Sequence, residues 1–158
     1  MLLSIQKMKQ IYQRMASVYR SNSRKVLFMR LLMFHVESFW FRSNDSEEEK
    51  TSLGESLIVW IHSEESDESN RSSILRKMVK NIHWLLKKVG CETVVLHSFA
   101  HLADSKASPD FADRLIEEVA IKLSDREYDV HIVPFGHFYE FNLHVKGPSL
   151  AKVFKKID

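Results

Sequence analysis

Eight histidines are the side chains in this chain best suited to proton transfer or metal binding: His35, His62, His83, His97, His101, His131, His137 and His144. None stands at the spacing of a standard zinc motif. His97 and His101 are four apart, but Ser98-Phe99-Ala100 between them follows a strand rather than lying in a helix. Cys91 is the single cysteine, which leaves no internal disulfide and no thiolate cage. The four glycines, at 54, 90, 136 and 147, form no phosphate-cradling loop. Ser98 lacks the flanking glycines of a nucleophile elbow. Neither a metal nor a cofactor is expected, nor covalent serine catalysis, which leaves general acid–base chemistry to consider. His101 is its first candidate, because it follows a strand ending at Leu96 and precedes a helix starting at Ser108. Loops at the carboxyl ends of strands in α/β sheets commonly hold ligands, and an imidazole trades a proton near neutral pH. Steadying its own loop by a local hydrogen bond is the alternative role. His83 falls inside a helical stretch and reads as a partly exposed surface histidine.

A second stretch concentrates rigid turns and aromatic rings. It runs Pro134-Phe135-Gly136-His137-Phe138-Tyr139-Glu140-Phe141 and continues to Lys146-Gly147-Pro148-Ser149-Leu150-Ala151. Each of these residue types constrains either backbone or surface, so the segment is no simple linker.

The elements that must position these residues follow from periodicity. Leu31–His35 is a short apolar strand, and Phe39–Phe41 reads as a second one. Residues 43–54 are polar and acidic and read as a solvated loop, as does Glu64-Glu65-Ser66-Asp67-Glu68 after the buried strand Ser56–Ile61. Ile74, Met78, Ile82, Leu85 and Val89 predict a helix from about Asn70 or Ser72 to Val89, closed by Gly90. Thr93–Leu96 is a strand. Ser108-Pro109-Asp110 combines a hydroxyl cap, a first-turn proline and an acid at the positive end of a helix lined by Phe111, Leu115, Val119 and Leu123. Tyr128–Val133 and Phe138–Val145 are strands, and Leu150–Ile157 is expected to form a short final helix. The order predicts one α/β domain, a mixed sheet with crossover helices.

A chain of 158 residues with 44% apolar content suffices for a single core. Net charge is +2, unevenly spread. Residues 1–28 carry six basic side chains (Lys7, Lys9, Arg14, Arg20, Arg24, Lys25) and no acid, leaving 17 basic against 21 acidic residues beyond them. The body is therefore no general polyanion binder, and contact with RNA must be local or assisted by another domain. Met8, Ile11, Tyr12, Met15, Val18 and Tyr19 recur at helical spacing within this basic extension. It reads either as a transit or membrane-surface helix or as an upstream start preceding a domain that begins at Met29. The domain is taken as 29–158. No apolar run nears the roughly 20 residues of a membrane span, and the lone cysteine favours a reducing, cytoplasmic setting.

Three segments resemble one known family. Met29-Arg30-Leu31-Leu32-Met33-Phe34-His35, Ser98-Phe99-Ala100-His101-Leu102 and Pro134-Phe135-Gly136-His137-Phe138-Tyr139 look like the N-terminal editing domain of archaeal threonyl-tRNA synthetases. The helix between Asn70 and Gly90, the Lys146-Gly147 turn and Leu150-Ala151 match in the same order, so the likeness covers about residues 29–155.

The resemblance implies a fold like that of D-aminoacyl-tRNA deacylases, usually a homodimer. The activity it implies is hydrolysis of seryl-tRNA mischarged on threonine tRNA. Serine lacks one methyl group of threonine, too small a difference for one binding step, and a second site sorts by size. Its partners would be the aminoacyl-tRNA 3′ end and the synthetase's catalytic and anticodon-binding domains, in cis or in trans. Carried over residue by residue, the family histidine falls on His101. The family lysine falls on Tyr139, its preceding tyrosine on Phe138, and its glutamate on Lys152. His101, Tyr139 and Lys152 are thus the catalytic candidates, with Lys152 a possible replacement cation or else a surface lysine. Ala100, Phe135, Gly136, His137 and Phe138 are the substrate-binding candidates. A phenol near pH 7 is neutral and cannot replace the lysine's charge. A tRNA-end-binding or dimerisation module without hydrolysis is therefore the alternative, and a D-aminoacyl-tRNA hydrolase is a third that the fold allows.

Overall fold

Backbone pairing continues from Met29 to Ser43, so the two strands expected there are one strand, β1, of 15 residues. The structure, a computed structural model, describes residues 4–22 (backbone only for 16–22), 28–45, 47 and 49–158. The reason for the apparent split is a bulge. Against β6 (Tyr139–Val145) the register of β1 shifts between Val36 and Ser38. Before it, Leu31 and Met33 point to one face and Phe34 and Val36 to the other; after it, Phe39 and Phe41 join the face of Val36. One inserted residue flips the side-chain parity and bends the strand.

β1 is flanked along both edges. On one side lie β2 (Thr51–Leu53), a strand within the expected loop 43–54, and β3 (Ser56–His62). On the other lie β6 and β7 (Lys152–Ile157). All four run antiparallel to β1. Beyond β3 come β4 (Thr93–Ser98) and β5 (Asp129–Ile132), both parallel. The crossovers between these three are α2 (Arg71–Val89) and α3 (Pro109–Ser124), as the periodicity predicts. A 3₁₀ turn, Glu65–Asn70, precedes α2.

The expected final helix is not one. Ser149–Ala151 makes a single 3₁₀ turn, and Lys152–Ile157 then pairs with Met29–Phe34 as β7. Eight residues are too few for a self-sufficient helix, whereas the open edge of β1 satisfies a whole strand of backbone groups.

One sheet face carries the main core: Leu31, Met33, Val59 and Ile61 against Met78, Ile82 and Leu85 of α2 and Leu115 and Val119 of α3. The opposite face is aromatic, with Phe34, Phe41, Trp60, Tyr139 and Phe141 around Val36, Phe39, Ile58 and Val95. The expected basic helix is present as α1 (Ile5–Asn22), with Ile5, Met8, Ile11, Tyr12 and Met15 exposed. The side chains of Val18, Tyr19 and Arg20, and residues Arg24 and Lys25, lie outside the described residues. No described helix is long and apolar enough to cross a membrane.

The caps hold as the sequence predicts. The Ser108 hydroxyl accepts from the Phe111 amide at 3.3 Å, and Pro109 opens α3. Gly90 ends α2 at φ 68°, its amide donating to the Leu86 carbonyl. A methyl group at Gly90 would meet no neighbour within 4 Å, so the cost of Gly90→Ala is backbone strain alone, about 1 kcal/mol. Gly54→Ala, also in open space and without positive φ, should show no such loss. Urea unfolding of the two variants checks the contrast.

Candidate active site

Two loops that leave the carboxyl ends of neighbouring parallel strands build the site. The first, residues 99–107, joins β4 to α3; the second, residues 133–138, joins β5 to β6. Between them lies a cavity of about 510 Å³. Ala100, His101, Phe135, Gly136, His137, Phe138 and Tyr139, drawn from sequence alone, all line it.

The first loop is anchored from beneath. Phe99 donates its amide to the Ile61 carbonyl at 2.9 Å, and Ala107 to that of Ser63 at 2.8 Å. Between these points His62 takes over. The Leu102 amide donates to Nδ1 at 3.2 Å, which leaves the proton on Nε2 to reach the Ser105 carbonyl at 2.7 Å. Glu64 receives the Ser105 hydroxyl at 2.9 Å and Arg30 at 3.0 Å. His62 and Glu64 are both 0% exposed. The stretch around Glu64, expected to be solvated, therefore holds a buried carboxylate. Arg30, the Ser105 hydroxyl and His62 Nε2 at 3.2 Å offset its desolvation. The Glu64 amide in turn donates to the buried Asp67 at 2.7 Å. Burial pushes the Asp67 carboxyl up to about 6, with the nearby Glu64 charge adding to the rise and that amide opposing it.

Gly136, at φ 90°, turns the second loop. Phe138 is 78% exposed at the mouth. The Tyr139 hydroxyl donates to the Pro134 carbonyl at 2.7 Å, tying the loop's two ends together. His137 Nδ1 lies 3.7 Å from the Asp45 carboxylate. Beyond Pro134, His137 and Tyr139 a smaller cavity of about 360 Å³ opens toward Arg42, Asp45 and Glu49.

Lys152 is not among the residues that line either cavity. It is the first residue of β7 rather than part of a helix, and its ammonium donates to the Lys146 and Gly147 carbonyls at 2.9 and 3.1 Å. The cation on the main cavity wall is Lys106. Its position in the loop after β4 was the one available sequence signal. His97, which the sequence sets apart only by its spacing from His101, lines the cavity too. It is 7% exposed, and burial lowers its pKa to about 4, so its ring is neutral near pH 7. Phe99, Tyr139 and Phe141 surround it at ring distances of 5.7 to 6.2 Å. Phe99 stacks on Trp60 at 4.1 Å and meets the His101 ring in a T-shaped contact at 5.0 Å. His83, read as a surface histidine, is half-buried and meets the Tyr128 hydroxyl at 2.8 Å.

Among the described residues, His35, Glu55 and Cys91 bring one potential metal ligand each within 4.8 Å of one another, and none of them lines the cavity. Glu55 is held by His35 and Lys146, both at 3.1 Å. The Cys91 thiol donates to the Thr93 carbonyl at 3.3 Å, and burial raises its pKa.

Residues 29–157 match the model of the archaea-specific editing domain of threonyl-tRNA synthetase. The chain belongs to this family. It is 32% identical over 139 residues to the threonine–tRNA ligase of Thermococcus kodakarensis, covering 82% of this chain and 22% of that protein. The threonine–tRNA ligase of Methanosphaera stadtmanae is 31% identical over 138 residues, with the same coverage. The chain thus spans about a fifth of the length of these relatives. Among solved structures, a probable eukaryotic D-amino acid tRNA deacylase superposes with a TM-score of 0.59 at 12% identity, covering 83% of this chain and all of that one. A c-Myc DNA unwinding element binding protein superposes at 0.61 and 14% identity, covering 82% and 97%. These likenesses define the fold of the editing domain as D-aminoacyl-tRNA deacylase-like.

The two shifted groups in and beneath this editing-domain cavity oppose each other in pH. Unfolded, a histidine titrates near 6.5 and an aspartate near 3.8. Because His97 is held at about 4, the folded state binds fewer protons than the unfolded state between about 4 and 6.5, and its contribution falls as pH drops. Because Asp67 is held at about 6, the folded state binds more protons between about 3.8 and 6, and its contribution falls as pH rises. Asp67→Asn should therefore steepen the loss of stability on acidification from pH 6.5 to 4. His97→Phe should shift that slope the other way. Urea midpoints measured across this range for wild type and both variants check the signs.

Proposed function

We infer that this editing domain hydrolyses the ester of serine mischarged on threonine tRNA, releasing serine and intact tRNA. The observation that carries the reading is the meeting of His101 and Ala100 with the Phe135–Tyr139 turn around one cavity at the carboxyl ends of β4 and β5. The aminoacyl ester enters this cavity, and backbone groups beside Ala100 and Phe135 orient it. Water attacks the ester carbonyl carbon and gives a proton to His101. The tetrahedral oxyanion is met by the Lys106 ammonium, a charge on the cavity wall that the phenol of Tyr139 lacks. The ester C–O bond then breaks, and the proton passes from His101 to the departing ribose hydroxyl. Homodimerisation, a cytoplasmic setting and association with synthetase catalytic and anticodon-binding domains, in cis or in trans, belong to the same reading.

A second reading, a tRNA-end-binding module without turnover, is favoured by one observation. The Tyr139 hydroxyl and the Lys152 ammonium, at the positions of two family catalytic residues, both bond to nearby backbone carbonyls.

Threonine tRNA charged with serine or with threonine separates the two. Wild-type protein should release serine and spare threonine. His101→Ala should lower the rate constant about 100-fold or more, and Lys106→Ala should lower it with little change in KM. Full activity in His101→Ala removes that residue from the chemistry. A silent wild type that gains activity in Tyr139→Lys establishes the binding module.

A further inference from the structure

His97 stands apart from the other polar residues of the cavity. His101, Lys106 and His137 are exposed at its rim, whereas His97 is buried on β4 with aromatic rings around it. Its Nδ1 is shielded from solvent and has no hydrogen-bond partner. Among the described residues no hydrogen bond reaches its other nitrogen either, and desolvation is the single cause acting on its titration. A buried N–H without a partner is rarer than a buried acceptor without one, which places the ring proton on Nε2. That leaves Nε2–H as the one group His97 can offer to a ligand. A neutral N–H among aromatic rings suits an uncharged oxygen; it gives no ion pair to a phosphate and repels an ammonium group.

We propose that His97 reads the side-chain hydroxyl of the bound acyl group, so that the cavity demands a hydroxylated aminoacyl ester and rejects alanyl or glycyl esters. The proposal rests on the deacylase reading for the identity of the ligand. Because the acyl group is the terminus of a long polymer, the ribose and the rest of the tRNA stay toward the mouth, beside Phe138 and Lys106. The acyl side chain is then the piece that travels inward to His97. Of the two side-chain hydroxyls among the lining residues, that of Tyr139 donates to the Pro134 carbonyl and that of Ser98 sits at the end of β4. Discrimination by size separates serine from threonine; discrimination by His97 separates serine from smaller apolar residues. A site built to bond a hydroxyl rejects the analogue without it more strongly than a size filter does, because its own polar group is then left unpaired.

Binding of 3′-aminoadenosine amides of serine and alanine, which cannot be hydrolysed, tests this by calorimetry on the full chain. Wild type should bind the serine amide tighter by on the order of 10- to 100-fold. His97→Phe should erase the difference by weakening the serine amide, and His97→Gln, which keeps an N–H donor, should restore part of it. Equal affinity of wild type for the two amides overturns the assignment. So does failure to bind either amide at millimolar concentration, or a serine preference that survives in His97→Phe. A serine preference in a protein that hydrolyses no ester overturns the deacylase reading and leaves the role of His97 standing.

Discussion

A single strand supplies backbone partners to four others, and every feature of the site follows from that constraint. β1 has two edges and 15 residues, and it satisfies β2 and β3 along one edge and β6 and β7 along the other. No flat strand could do so and still bury both faces. The bulge after Val36 lets the first half of β1 face the helices with Leu31 and Met33 while the second half turns Phe39 and Phe41 to the aromatic side. The same bend curls the sheet, so that Tyr139 and Phe141 of β6 come to lie against His97 of β4 although the two strands do not pair. The cavity is the space left under that curl.

The electrostatics of the site are arranged in depth. Beneath the 99–107 loop lie the Arg30–Glu64 ion pair and His62, and their hydrogen bonds to the Leu102 amide and to the Ser105 carbonyl and hydroxyl hold the loop rather than a ligand. Such a cluster contributes little net stability, since desolvation consumes most of the ion-pair attraction. What it contributes is position, because its bonds are directional and fix where His101 and Lys106 leave the loop. Above it, the cavity floor is aromatic and neutral, and the formal charges are kept at the rim. An ester is uncharged at its reacting centre, and its hydrolysis develops negative charge only in the transition state. A neutral floor with a cation at the edge matches that sequence of events.

Two polar side chains near the site hold backbone in place. Tyr139 closes its own loop, and Lys152 ties the Lys146-Gly147 turn to the start of β7. The cation on the main cavity wall is Lys106.

Sequence by itself determined the parts of this protein that depend on near neighbours. Helical periodicity located α2 and α3, and the caps at Ser108 and Gly90 gave their ends. The apolar runs located β3, β4 and β5, and the turn at Pro134-Phe135-Gly136 marked one cavity wall. Tertiary structure decided the rest. Leu150–Ile157 is compatible with a helix or a strand, and the open edge of β1, more than a hundred residues earlier, made it β7. Glu64 and Asp67 look solvated until Arg30 and the 99–107 loop close over them. His97 is one histidine among eight until the curl of the sheet removes its water. Local sequence encodes propensities that act over a turn or two, whereas hydrogen-bonding edges and dielectric environment are set by residues far away along the chain.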